Sequence, residues 1–180
     1  PYQAEISQGT LQGMYEFQSL LCQLTGMDAA NDGMYDGATA LAEAVLMACR
    51  ITGRARAAYL NTLSPRYLEV VRTYVSSLGI TLDPLAPTST TLAPGTACLI
   101  VQHPNFFGYF EDVASWTRVA HDAGALLIQV FDSISLGLLR PPGDYGADIA
   151  VGEGQPLGTP LSYGGPYLGL FTCQEKYLRQ

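Results

Sequence analysis

The stretch Val151-Gly-Glu-Gly-Gln-Pro-Leu-Gly-Thr-Pro-Leu-Ser-Tyr-Gly-Gly-Pro-Tyr-Leu-Gly169 constrains this chain more than any other. Glycine and proline at this density exclude a helix and favour turns with positive φ and close backbone approach. The stretch follows an apolar run, Leu126–Val130, which reads as a strand ending at Asp132, and a polar link, Pro141–Gly146. A loop of this composition beside an apolar strand either binds something or packs against another chain.

Upstream, helical and strand-like segments alternate. Leu11, Met14, Tyr15, Phe17, Leu20, Leu21 and Leu24 recur at three-four spacing, which predicts a helix over Thr10–Leu24 with Thr10 as N-cap and Gly26 past its end. Asp36 is a plausible N-cap for a second helix, running to Ile51 and stopped by Gly53. Ala57–Leu60 reads as a buried strand. Ser64-Pro65 then caps a helix over Arg66–Leu78, and Ile80–Leu85 is a further strand. The Thr/Ser/Pro run before Gly95 is a surface excursion. Ala97–Gln102 is a fully apolar strand, Glu111–Ala123 a helix with Val113, Trp116, Thr117 and Ala120 facing in, and Leu126–Phe131 the next strand. Leu168–Thr172 suits an edge strand, and a helix starts over Gln174–Arg179. This order predicts an α/β fold: a mostly parallel sheet with right-handed crossovers and helices on both faces.

Composition removes several function classes. A net charge of −7 and no basic patch disfavour nucleic acid and anionic lipid. No run is long and apolar enough to span a membrane, and no basic, apolar, small-residue stretch suggests secretion, so secretion is not expected. Cys22, Cys49, Cys98 and Cys173 are far apart, with no C-x-x-C and no histidine at metal-ligand spacing, so they read as buried thiols of a cytoplasmic protein and no metal is expected. No serine has a nucleophile-elbow context, and Gly164-Gly-Pro166 is not a P-loop. Lys176, the only lysine, follows Glu175 in a polar setting and reads as a surface residue. His121 reads as a solvated helix residue, and Asp148 and Glu153 form no evident acid–base pair. Neither chain end carries a terminating signal, so the chain is expected to be a piece of a longer protein.

The wording Gly152-Glu-Gly-Gln-Pro-Leu-Gly158, Tyr163-Gly-Gly-Pro-Tyr-Leu-Gly169 and Leu139-Arg-Pro-Pro-Gly-Asp-Tyr-Gly-Ala-Asp-Ile149 closely resembles glycine decarboxylase, the P-protein of the glycine cleavage system, above all subunit 1 of the two-subunit bacterial form. The resemblance covers the whole chain. It implies the large domain of a fold-type-I pyridoxal-phosphate enzyme, truncated, with the small C-terminal domain absent. In that fold an aspartate at a strand end meets the cofactor's pyridine nitrogen, and Asp132 matches it. It reads equally as a turn cap before Ser133. The Schiff-base lysine position falls near Gln155-Pro156, which offers no nucleophile. The phosphate would meet Gly37, Ala38 and Thr39 at a helix N-terminus, where Asp36 would repel it. His103 begins the stretch that approaches the ring in catalytic relatives, although a His-Pro at a strand end is commonly a turn residue.

The resemblance therefore implies a subunit with no catalytic residue and no bound cofactor of its own. Pyridoxal phosphate would sit in a homologous partner, subunit 2, and the pair would decarboxylate glycine and pass the aminomethyl group to the lipoyl arm of the H-protein. Gln155, Pro156, Tyr163, Gly164, Gly165 and Tyr167 are expected to face that partner, the alternative being a loop folded over its own sheet. Two other readings stand: a scaffold with no active-site contribution, and an independent aminotransferase or lyase using Lys176.

Overall fold

The computed structural model describes residues 3–179; Pro1 and Tyr2, part of the expected entry loop, and Gln180 lie outside the described residues. The strands are β1 (Ala29–Ala30), β2 (Arg56–Leu60), β3 (Thr81–Leu85), β4 (Cys98–His103), β5 (Leu126–Asp132), β6 (Ile149–Glu153) and β7 (Gly169–Cys173). The helices are α1 (Gln8–Thr25), α2 (Gly37–Thr52), α3 (Pro65–Val75) and α4 (Val113–Asp122). The strands form one sheet in the order β1-β7-β6-β5-β4-β2-β3. Pairings from β3 through β6 are parallel, while β7 runs antiparallel to both β6 and β1.

Both faces of the sheet are covered, which is why β4 and β5 are almost continuously apolar. On one face Leu41, Val45 and Val71, from α2 and α3, pack on Ile100, Ile128, Ile149 and Val151. On the other, Val113, Trp116 and Ala120 of α4 pack on Leu60, Leu99, Val101 and Leu127. Farther along that second face Leu21 of α1 meets Phe131, Ala150 and Leu170. Gln129 is the exception in β5: it is fully buried, with both amide atoms unpartnered.

The Asp36 cap is a full capping box. Its carboxylate accepts from Thr39 N at 2.7 Å, and Asp36 N donates to Thr39 Oγ1 at 3.2 Å. Other expectations need correction. Thr10 lies inside α1, whose N-cap is Ser7, without a side-chain bond. Ser64 makes no cap bond either; its N–H donates instead to Gln102 Oε1 at 2.8 Å. The helix expected over Arg66–Leu78 begins at Pro65 and ends early, at Val75, the one expected over Glu111–Ala123 is shorter at both ends, and Glu175–Tyr177 forms a single 3-10 turn. The Gly/Pro stretch starts inside β6, because Ile149–Val151 is apolar enough to be buried between β5 and β7. The strand expected at an edge is β7, flanked on both sides because β1 extends the sheet past it.

Asp148 anchors the end of the sheet where β6 begins. Its carboxylate is 1% exposed and accepts from Leu127 N at 2.9 Å and Tyr177 Oη at 2.9 Å. His121 Nε2 lies 2.7 Å away and Lys176 Nζ 3.3 Å away. His121 is thus a tie between α4 and β6 rather than a free surface residue. Asp148→Ala leaves several donors around one buried site without an acceptor and should lower the unfolding free energy by about 3 kcal/mol, measurable by urea denaturation.

Candidate functional site

Because β2, β4, β5 and β6 are parallel, their C-terminal ends share one rim, the place where open α/β sheets carry their ligands. Gly37 begins α2 directly against it. A Cβ at Gly37 would lie 2.9 Å from the Gly152 carbonyl carbon and 3.0 Å from Glu153 N, so no gap separates helix and strand. Gly37 N donates to Glu153 Oε2 at 3.0 Å, while Glu153 Oε1 accepts from Gln155 N at 3.0 Å and Leu168 N at 2.9 Å. Thr39 Oγ1 is taken up by Asp36, and Ala38 has no polar side chain. Burial, followed by the carboxylates of Glu153, Asp36 and Asp132, pushes the nearby Tyr67 phenol up to about 12. The rim is therefore negatively charged at this point.

Asp132 is exposed and serves as a turn cap: Oδ1 accepts from Ser135 N at 2.8 Å, and Ser135 Oγ donates to Asp132 O at 2.7 Å. His103 is buried at the end of β4. Glu111 N donates to its Nδ1 at 3.1 Å, which leaves the proton on Nε2, and Nε2 has no partner. Sequence reasoning missed Asn105. Its Oδ1 accepts from Phe107 N and Tyr109 N, both at 3.0 Å, and its Nδ2 donates to Glu111 Oε1 at 2.7 Å. That knot turns Phe106, Phe107, Tyr109 and Phe110 outward. An asparagine after a proline at a strand end was the available signal.

The loop after β6 is anchored at its two ends. Gly154 N donates to Leu168 O at 2.7 Å, and Gln155–Leu157 is a 3-10 turn containing Pro156. Between these ends the chain stands away from the sheet. Ser162 and Tyr163 have φ of 39° and 57°, Gly164 has φ of 106°, and Gly164 N and Gly165 N both donate to Leu161 O. Tyr163 is fully exposed and Tyr167 half-exposed. Tyr35, Leu138 and the aromatic residues after Asn105 are exposed as well. An apolar groove of about 300 Å³ runs between Phe17, Leu20 and Leu24 of α1 and Leu157 and Leu168 of the loop.

Lys176 is at the other end of the sheet, beside Asp148, whose backbone is roughly 16 Å from that of Glu153 at a strand rise of ~3.3 Å per residue. Partial burial works against its charge, but Tyr177 and Asp148 outweigh this and raise its pKa, so it is held as an ammonium.

All 180 residues match the family model described as "Glycine cleavage system P-protein". The chain belongs to the glycine cleavage system P-protein family. It is 54% identical to a Desulforamulus reducens protein named "Probable glycine dehydrogenase (decarboxylating) subunit 1" and 52% identical to one of the same name from Syntrophomonas wolfei. Both alignments cover 100% of this chain but only 42% and 43% of those relatives. A crystal structure of glycine decarboxylase (P-protein), in inhibitor-bound form, superposes with a TM-score of 0.92 at 44% identity, over 99% of this chain and 42% of that one. The P-protein family depends on pyridoxal phosphate. In this chain Gln155-Pro156, near where the resemblance places the lysine, offers no amine, Glu153 accepts from Gly37 N at the α2 N-terminus, and Asp132 accepts from Ser135 N.

His103 gives a pH-dependent prediction. Burial lowers its pKa from 6.5, with Glu111 opposing more weakly, so the folded chain binds its proton less readily than the unfolded chain does. The stability associated with His103 is complete above the unfolded value, near 6.5, and falls as pH drops through it towards the folded value. NMR titration should show the His103 imidazole protonating below the ordinary range, and His103→Asn should flatten the stability profile at acid pH.

Proposed function

We propose that this chain is part of the large domain of subunit 1 of a two-subunit glycine dehydrogenase (aminomethyl-transferring, decarboxylating), acting in the cytoplasm. In this reading it binds no pyridoxal phosphate. A homologous subunit 2 holds the cofactor, and the assembled pair decarboxylates glycine and passes the aminomethyl group to the lipoyl arm of the H-protein. One observation carries the reading: the sole lysine is tied to Asp148 at the far end of the sheet, while the rim that would need it presents Gln155 and three carboxylates. The cofactor, when bound by subunit 2, supplies the electron sink for decarboxylation.

This chain's part is then to wall the site. Gln155, Pro156, Tyr163, Gly164, Gly165 and Tyr167 face the partner, where exposed tyrosines anchor the contact and the glycines admit close backbone approach. The aromatic residues after Asn105 extend the same surface and keep water from the joint active site. A scaffold role without any active-site group is the second reading. It is favoured by the inward burial of His103 and the use of Asp132 as a cap.

Mixing the full-length subunit with subunit 2 and lipoylated H-protein should raise carbon dioxide release from glycine well above subunit 2 alone; no gain overturns the proposal. Single replacement of Tyr35, His103 and Asp132 without loss of turnover would favour the scaffold. A cβ at Gly165 meets open space, so Gly165→Trp should leave the chain folded. It should weaken association at least about tenfold, roughly 1.4 kcal/mol, in an ultracentrifugation titration.

A further inference from the structure

Glu153 was left without a role by its sequence context, yet it touches three parts of the rim at once. Gly37 belongs to the first turn of α2, Gln155 to the turn after β6, and Leu168 to the approach to β7. Each directs its backbone N–H at the same carboxylate, at 3.0, 3.0 and 2.9 Å. The first turn of a helix carries unpaired N–H groups and a partial positive charge, so an anion there is stabilised. Among the described residues the ion pairs are Arg56–Asp83, His121–Asp148 and Lys176–Asp148. The Glu153 charge is therefore met by peptide dipoles and not by a cation.

We propose that Glu153 is a positioning residue: a built-in anion that takes the place before the α2 N-terminus where the family's cofactor would bring its phosphate. Through Gln155 and Leu168 it also sets the conformation of the loop between them. The same oxygen, Oε1, accepts from both ends of that loop, so one carboxylate closes it like a clasp. Oε2 ties the clasp to α2. The loop's exposed middle, including Tyr163 and Tyr167, is thereby presented on a fixed base. The three hydrogen bonds belong to this chain alone, and only the comparison with the phosphate's place rests on the family resemblance.

Amide hydrogen exchange on the full-length chain, compared with E153A and E153Q, tests it without partner or activity. Exchange at Gly37, Gln155 and Leu168 should accelerate at least about tenfold in E153A, because hydrogen bonds to a charged group are worth ~1.5–3 kcal/mol. Sodium formate, which supplies a free carboxylate, should restore protection in E153A and leave the wild type unchanged. E153Q fills the same space without the charge; it should lose part of the protection and not respond to formate. Wild-type exchange in E153Q, or an E153A variant that folds but ignores formate, overturns the proposal. If E153A folds only with formate the proposal stands, and if it does not fold at all E153Q decides.

Discussion

A strand paired in parallel with its neighbour cannot be reached by a tight turn; the chain must cross the sheet and return. Four of the six strand pairings here are parallel, and this requirement dictates most of what surrounds them. The crossings supply α3 and α4, and with α2 they bury both faces. The strands must then be apolar on both sides, which leaves polar groups little place except at strand ends. β7 reverses direction beside β6, and so the loop joining them, residues 154–168, stays at the rim where the parallel strands finish.

The two ends of the sheet consequently have different chemistry. At the end where β6 begins, Asp148 gathers α4, β5 and the C-terminal turn into one buried network, and Lys176 belongs to it. At the other end, Asp36, Asp132 and Glu153 are satisfied by backbone N–H groups, and the large side chains are turned outward. Glu153 there accepts from Gly37 N at the first turn of α2. Tyr163 and the aromatic residues after Asn105 are left in solvent.

Local chemistry was legible where one short segment decides the outcome. Asp36 followed by a small-residue turn and a periodic apolar run specifies α2, because the cap and the helix face are both local. The largely apolar runs at β4 and β5 are legible for the same reason. β6 was hidden because its three apolar residues run directly into Gly152, and short strands draw their stability from neighbours rather than from propensity. Glu153 was hidden because Gly37 N and Leu168 N are backbone amides distant in sequence, whereas Asn105 bonds within its own turn and its place after Pro104 was the signal that went unused. His121 and Asp148 are 27 residues apart in sequence and meet only across a crossover.

By itself the sequence determined the class of fold, the family resemblance and the presence of a single lysine, since these depend on residue identity and local periodicity. The tertiary structure decided that this lysine sits beside Asp148, that Glu153 meets the α2 N-terminus, and that Asp132 caps the turn at Ser135. Those outcomes turn on which donor finds which acceptor after the strands have aligned, and long-range pairing of this kind is created by packing, not by any single segment.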